Sequence, residues 1–184
     1  ETNPQVVDTT NGFDPRDLLP AIRGVTQDEM PGYLSLVPTQ LVQCLDAGEE
    51  VVGAMRSLSA VLVGGAAISQ HLLERALNAG LKVRITYGMT ETSGGCVYDG
   101  EPMPGVTVRA VDWDGRTRLA FNGPTLMTRY LDAESPFFEE GGHRWLISGD
   151  MGVIRASGKV EVNGRADDVI TSGGLSIAPG PLRR

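Results

Sequence analysis

Residues 84–95, Arg-Ile-Thr-Tyr-Gly-Met-Thr-Glu-Thr-Ser-Gly-Gly, concentrate groups that can do chemistry. A β-branched run (Val83, Ile85, Thr86) ends in Tyr87-Gly88, and beyond it Thr90, Glu91, Thr92 and Ser93 follow with only Met89 apolar. Threonine and serine hydroxyls donate to phosphate oxygens, and a glutamate offers hard oxygen of the kind Mg²⁺ takes. A strand that stops and at once presents such groups fits the carboxyl end of a strand in an open α/β sheet, where ligands bind. A polar loop that caps a strand fits the same residues. Spacing alone leaves both readings open.

Three further motifs carry weaker signals. Ser148-Gly149-Asp150 puts a carboxylate in a tight turn at a strand end, suited to ribose hydroxyls or to its own turn backbone. Arg165 lies between glycine-rich segments, where a guanidinium pairs with phosphate or with the nearby Asp167 or Asp168. Gly64-Gly65 either admits a flat ligand against bare backbone or makes a turn.

The elements that must position these groups follow from pattern. Residues 1–12 are polar and turn-rich, and are expected to be irregular. Asp14-Pro15 is expected to open a helix carrying Leu18, Leu19 and Ile22. Residues 33–37 predict a strand. Pro38 starts a helix with Leu41, Val42 and Leu45 on one face, stopped by Gly48, and residues 51–55 predict another short helix. The apolar run Ala60-Val61-Leu62-Val63 predicts a strand buried on both faces. Ser69 then caps a helix whose face holds Ile68, Leu72, Leu73, Ala76 and Leu77, ended by Gly80, and a strand over 82–87 completes a parallel βαβ unit. The glycine-bearing loops after the two strands are expected to lie side by side at one sheet edge. After Pro104-Gly105 the runs shorten and alternate, with turns at Asp114-Gly115 and Asn122-Gly123-Pro124. That texture predicts a small antiparallel sheet or barrel, including a strand over 144–147 and a hairpin around Ser157-Gly158.

The expected fold class is therefore α/β: a parallel βαβ layered sheet over residues 1–104, a small antiparallel β-barrel or sheet subdomain over 105–166, and a hinge leading into a further domain over 167–184. The 184 residues suffice for a real core. A net charge of −7 with no basic run argues against a nucleic-acid surface, and no apolar segment approaches the ~18 residues of a membrane span. The start at Glu1 carries no signal-like pattern, and Cys44 and Cys96 have no metal-ligand spacing, which suggests a reduced cytoplasmic setting. His71 and His143 are far apart, so no zinc site is expected. The 24 glycines, well above the typical ~7%, fit many tight turns and close backbone approaches.

The order of the motifs resembles the adenylate-forming superfamily of acyl- and aryl-CoA ligases, luciferases and peptide-synthetase adenylation domains. Val63-Gly64-Gly65-Ala66 looks like its adenine-side loop, Tyr87-Gly88-Met89-Thr90-Glu91 like its YGxTE motif and Ser148-Gly149-Asp150 like its (T/S)GD motif. Gly164-Arg165-Ala166-Asp167-Asp168 through Gly173-Gly174 looks like its GRxDD…GG hinge. A finer resemblance is to the o-succinylbenzoate–CoA ligase subfamily of menaquinone biosynthesis. Residues 35–41 (Ser-Leu-Val-Pro-Thr-Gln-Leu), 62–66, 86–92 and 94–100 carry it.

The resemblance implies a two-step reaction. ATP and a carboxylate give an acyl-adenylate and pyrophosphate, and coenzyme A then displaces AMP to give a thioester. It implies that Tyr87, with Gly88 beside it, stacks on adenine, with Gly64, Gly65 and Ala66 on the other side of the ring. Thr90 would hydrogen-bond the α-phosphate and Glu91 would help hold Mg²⁺. Asp150 would take the ribose hydroxyls, and Arg165 ribose or phosphate. Ser93, Gly94 and Gly95 would line the acyl pocket, and Asp167 would be the hinge. Such chemistry needs in-line geometry and spreading of phosphate charge rather than a strong protein base.

The family's lysine-bearing phosphate loop and its later catalytic lysine have no counterpart here, since Lys82 and Lys159 fall outside both contexts. Arg118-Leu119-Ala120 also stands where the family has Gly-Glu-Leu. The expectation is the middle part of a ligase, inactive by itself. The competing expectations are a non-catalytic nucleotide-binding module whose uncovered sheet favours a homodimer, or a ligase for another carboxylate.

Overall fold

The computed structural model describes residues 10, 12–27, 31–167, 170–172 and 175–177. The irregular start expected over 1–12 lies, apart from residues 10 and 12, outside them, as do Asp168, Gly173 and Gly174. The chain divides into two compact units, Glu1–Ile85 and Thr86–Arg184. Among the described residues no helix is long and apolar enough to cross a membrane.

The first unit is built as its pattern predicts. The Asp14 carboxylate accepts from Arg16 N at 2.9 Å and opens a 3₁₀ turn, Pro15–Asp17, that feeds α1 (Leu18–Gln27). Leu18, Leu19 and Ile22 are buried there. The strand β1 (Tyr33–Leu36) leads into α2 (Pro38–Asp46), where Pro38 takes the position at which a missing N–H costs nothing. Gly48, at φ +96°, makes the break before α3 (Glu49–Arg56). The buried run becomes β2 (Ala60–Val63), parallel to β1. Ser69 Oγ accepts from Leu72 N at 3.2 Å and caps α4 (Gln70–Asn78).

Of the face expected for α4, Leu72 and Ala76 are buried, but Leu77 is 50% exposed. Five residues past Leu72 the helix has turned by roughly 140°, which carries Leu77 off the buried stripe. The strand β3 (Val83–Met89) closes the βαβ unit, its first three residues parallel to β2. A single core of Leu36, Leu41, Cys44, Val51, Met55, Val61, Val63 and their neighbours holds this unit together.

The second unit differs from expectation at two strands. The strand β3 does not stop at Tyr87-Gly88 but runs on to Met89. A 3₁₀ turn, Thr90–Thr92, then reverses the chain into β4 (Gly94–Tyr98), antiparallel to it. Gly94 and Gly95 are therefore strand residues opposite Met89 and Gly88. Glycine permits this: a Cβ at Gly88 would overlap the backbone of Gly94 and Gly95. A short β5 (Glu101–Pro102) extends this ladder.

The alternating region forms a five-stranded antiparallel sheet from β6 (Thr107–Trp113), β7 (Arg116–Asn122), β8 (Phe137–Glu140), β9 (His143–Ile154) and β10 (Val160–Arg165), with β9 central to it. Asp114 and Gly115, at φ 53° and 71°, turn β6 into β7, as an Asp-Gly pair in a hairpin should. The second difference is β9, which continues through Ser148-Gly149-Asp150 instead of ending there. Its pairing with β7 shifts between Ala120↔Ile147 and Arg118↔Met151, so residues 148–150 form a bulge rather than a terminal turn. One face of the sheet buries Leu119, Phe121 and Leu146 with Cys96, Val97 and Val160, and the other buries Ala120, Trp145 and Ile147. Beyond it β11 (Ile170–Ser172) pairs antiparallel with β12 (Leu175–Ile177).

Candidate functional site

Two carboxylates, each accepting a tyrosine hydroxyl, organise the site in the second unit. The first is Asp150. The bulge that carries it is closed by Ser148, whose Oγ donates to Leu119 O at 2.8 Å and accepts from Asp150 N at 3.1 Å. The bulge thus aims Asp150 off the regular strand alternation. Tyr87 reaches it from β3 and donates to Asp150 Oδ2 at 2.6 Å. The Tyr87 ring lies against Phe121 with centroids 5.7 Å apart. Burial first, and then the bond to Asp150, push the Tyr87 pKa well above the ordinary tyrosine range, so the hydroxyl remains a donor.

Arg165 completes this corner. Its Nη1 lies 3.8 Å from Asp150 Oδ1 and its Nη2 3.4 Å from Asp167 Oδ2, while Ala166 N donates to Gly149 O at 2.8 Å. A Cβ at Gly149 would stand 2.7 Å from the same guanidinium. Asp150 is 14% exposed and Arg165 55% exposed, so a half-buried carboxylate meets a largely solvated guanidinium.

The second carboxylate is Glu91, on the turn between β3 and β4. Thr92 is buried inside this turn: its Oγ accepts from Met89 N at 3.0 Å and lies 2.8 Å from Gly94 O. Thr92 therefore serves the turn and is not one of the solvent-facing hydroxyls expected from the sequence. Thr90, by contrast, is exposed. Ser93, in the left-handed region at φ 56°, donates from Oγ to Thr125 O at 2.9 Å. Met127 N donates to Glu91 O at 2.8 Å, and the Tyr130 hydroxyl donates to Glu91 Oε1. That bond to Glu91 is the main cause that raises the Tyr130 pKa.

Of the residues expected at the site, Tyr87, Gly88, Thr90, Glu91, Asp150 and Arg165 all lie in the second unit, and the hydrogen bonds and ion pair above join Tyr87, Asp150 and Arg165 directly. Ser93, Gly94 and Gly95 sit exposed on the same hairpin, where a Cβ at Gly95 would approach the Tyr98 hydroxyl to 2.8 Å. Gly64, Gly65 and Ala66 follow β2 in the first unit. Gly64 N donates to Leu36 O at 3.1 Å, Gly65 has φ +76°, and Gly65 and Ala66 are exposed. The sequence did not mark Tyr130 or Phe121 for the site. Tyr130 stands 39 residues after Glu91 in a loop with no periodicity, so no local signal marks it.

The fold is an α/β unit followed by an antiparallel sheet, with acidic and hydroxyl groups gathered on a strand bulge and a hairpin turn. The sequence profile of the family described as AMP-binding enzyme matches residues 7–131, and the chain belongs to that family. It is 38% identical over 183 residues to a probable 2-succinylbenzoate–CoA ligase of Mycobacterium tuberculosis, an alignment covering 97% of this chain and 45% of the relative. The chain thus spans about half the length of that relative. The o-succinylbenzoate CoA synthetase of Bacillus subtilis in complex with its acyl-adenylate intermediate superposes with a TM-score of 0.74 at 27% identity, covering 91% of this chain and 37% of that one. The same Bacillus enzyme in complex with ATP and magnesium superposes at 0.73 with 27% identity, covering 91% and 38%.

Proposed function

We propose that these residues form the nucleotide-facing part of an ATP-dependent, AMP-forming carboxylate–CoA ligase that converts o-succinylbenzoate to its CoA thioester for menaquinone biosynthesis in the cytoplasm. The observation that carries the reading is the union of three separate motif residues at one place: Tyr87 bonded to Asp150, with Arg165 on the other carboxylate oxygen. The 38% identity to the mycobacterial ligase supports the choice of carboxylate.

In this reading Asp150 orients the ribose hydroxyls, held ready by the Tyr87 hydroxyl and the bulge. Tyr87 and Gly88 take the adenine. Thr90 donates to the α-phosphate, Arg165 contacts ribose or phosphate, and Ser93, Gly94 and Gly95 border the acyl group. Asp167 serves as the hinge, and the division at 104 and 166 marks the subdomains. Among the described residues no group of three or more His, Cys, Asp or Glu forms a metal cage. A lone carboxylate at Glu91 nevertheless suits Mg²⁺, which keeps its waters and is bound through one or two carboxylates plus substrate phosphates. Mg²⁺ held at Glu91 would neutralise charge on the nucleotide phosphates.

The residues present supply orientation more than acid–base catalysis. Both lysines are engaged elsewhere, Lys82 donating to Leu58 O at 2.9 Å and Lys159 lying 3.7 Å from Glu101. We therefore expect the 184 residues alone not to turn over. The test is pyrophosphate release from o-succinylbenzoate, ATP and Mg²⁺ by the whole protein, compared with its Asp150→Ala variant. A loss of about 100-fold or more is expected, of the size that follows removal of a strong positioning contact. Full activity in the variant would sink the assignment of Asp150, and activity with other carboxylates alone would redirect the substrate. AMP binding without any turnover would favour a non-catalytic, self-associating module.

A further inference from the structure

We propose that Tyr130 is a positioning residue for the Glu91 carboxylate, holding one of its oxygens so that the other is presented to the metal of a metal–nucleotide complex. The inference rests on the reading of Glu91 as a Mg²⁺ ligand. Glu91 is half-buried on a hairpin turn, and a glutamate there would otherwise lose side-chain freedom when it binds. The Tyr130 hydroxyl donates to Oε1, while Oε2 has no hydrogen-bond partner among the described residues. A carboxylate fixed in this way has already given up its rotamer freedom before the ligand arrives, which favours binding.

The bland alternative is that the bond merely fastens the loop of Tyr130 to the turn. That loop is fastened without it. Met127 N donates to Glu91 O at 2.8 Å, Ser93 Oγ donates to Thr125 O at 2.9 Å, and Tyr130 N donates to Ser135 Oγ at 2.8 Å. The Arg144 guanidinium, 3.4 Å above the Phe137 ring, donates to Met127 O at 3.4 Å and to Thr128 O. Five contacts through backbone atoms seat the loop, so the hydroxyl is free to act on the Glu91 side chain. A tyrosine suits this task because its donor sits on a rigid ring and stays protonated at neutral pH.

The experiment measures nucleotide binding by calorimetry on the whole protein, with ATP alone and with ATP plus Mg²⁺, for wild type, Tyr130→Phe and Glu91→Gln. Tyr130→Phe is expected to weaken Mg²⁺–ATP binding by about three- to tenfold, the net worth of an ordinary hydrogen bond, while leaving metal-free ATP unchanged. Glu91→Gln should weaken the metal complex at least as much. If Tyr130→Phe weakens both forms equally, the residue holds the loop and the proposal is overturned. No effect of Tyr130→Phe beside a clear effect of Glu91→Gln would overturn the proposal and leave the metal reading of Glu91 standing. No metal-specific effect of Glu91→Gln would bring down that reading, and the proposal with it.

Discussion

Asp150 and Glu91 receive the same contact, a tyrosine hydroxyl, but the fold supports the two in opposite ways. The Tyr87–Asp150 pair joins β3 to the bulge of β9, both strands set by ladders, and the Tyr87 ring rests on buried Phe121. The Tyr130–Glu91 pair joins a loop to a hairpin turn, docked by the Met127 N–Glu91 O bond and by side chain–backbone bonds from Ser93 and Arg144. A group on ladders inherits the rigidity of the core, whereas a group on a loop is as rigid as the bonds that dock it. In the proposed reading the first corner would meet the ribose with a rigid set of groups. In the proposed reading the second would meet a ligand that arrives with its own metal, through an acid already held by Tyr130.

This contrast can be broken first at Gly88. Its Cβ-sized space is filled by the backbone of Gly94 and Gly95, so Gly88→Ala must push β3 and β4 apart and displace Tyr87 with them. A loss of about 3 kcal/mol or more in denaturant unfolding is expected, as for other steric insertions against backbone. A near-neutral Gly88→Ala would mean that the strand corner is far softer than its ladder implies.

Tyr87→Phe tests the same corner more gently. It removes a hydrogen bond to a charged group and should cost about 1.5–3 kcal/mol at neutral pH. The folded-state pKa of Tyr87 is raised, by burial before the bond to Asp150. Its stabilisation is therefore fully present below the ordinary tyrosine pKa of about 10 and is lost as pH rises toward the folded value. The stability gap between wild type and Tyr87→Phe should stay level from pH 7 to 9 and narrow above 10. A gap that widened above 10 would contradict the bond.

The smallest effect is expected at Arg144→Met, which keeps a long apolar stem over Phe137 but removes the donors to Met127 O and Thr128 O. Global stability should fall by no more than about 1 kcal/mol, because the contacts are exposed or half-buried. Hydrogen exchange in the 125–130 loop should quicken while that of β3 and β9 does not. Equal quickening in all three would erase the difference between the two corners.

Much of this architecture was legible in residue order because it depends on local rules. Asp14-Pro15, Ser69 and Asp114-Gly115 set the start of a helix, the cap of a helix and the turn of a hairpin through their own backbone chemistry. The run Ala60-Val61-Leu62-Val63 needed nothing more than its apolar content to identify a buried strand. The misplacements share one cause. Tyr87-Gly88 and Ser148-Gly149-Asp150 looked like strand ends because glycine weakens a strand, but here each glycine lets a strand pass close to a neighbour. At Gly88 that neighbour is β4, and at Gly149 it is the guanidinium of Arg165. Leu77 failed for a different reason, since periodicity marks the centre of a helical stripe better than its flank.

The sequence by itself determined the family-like order of the motifs, the βαβ start and the groups that can meet phosphate, metal and ribose, since these are properties of residue type and near spacing. Tertiary structure alone decided which of those groups touch. It turned the Glu91 hairpin back on itself, assigned Thr92 to the turn instead of to solvent, and brought Tyr130 to Glu91 across 39 positions and Tyr87 to Asp150 across 63. Contacts at that separation depend on strand register and bulges, which the packing of a whole sheet fixes and no local pattern encodes.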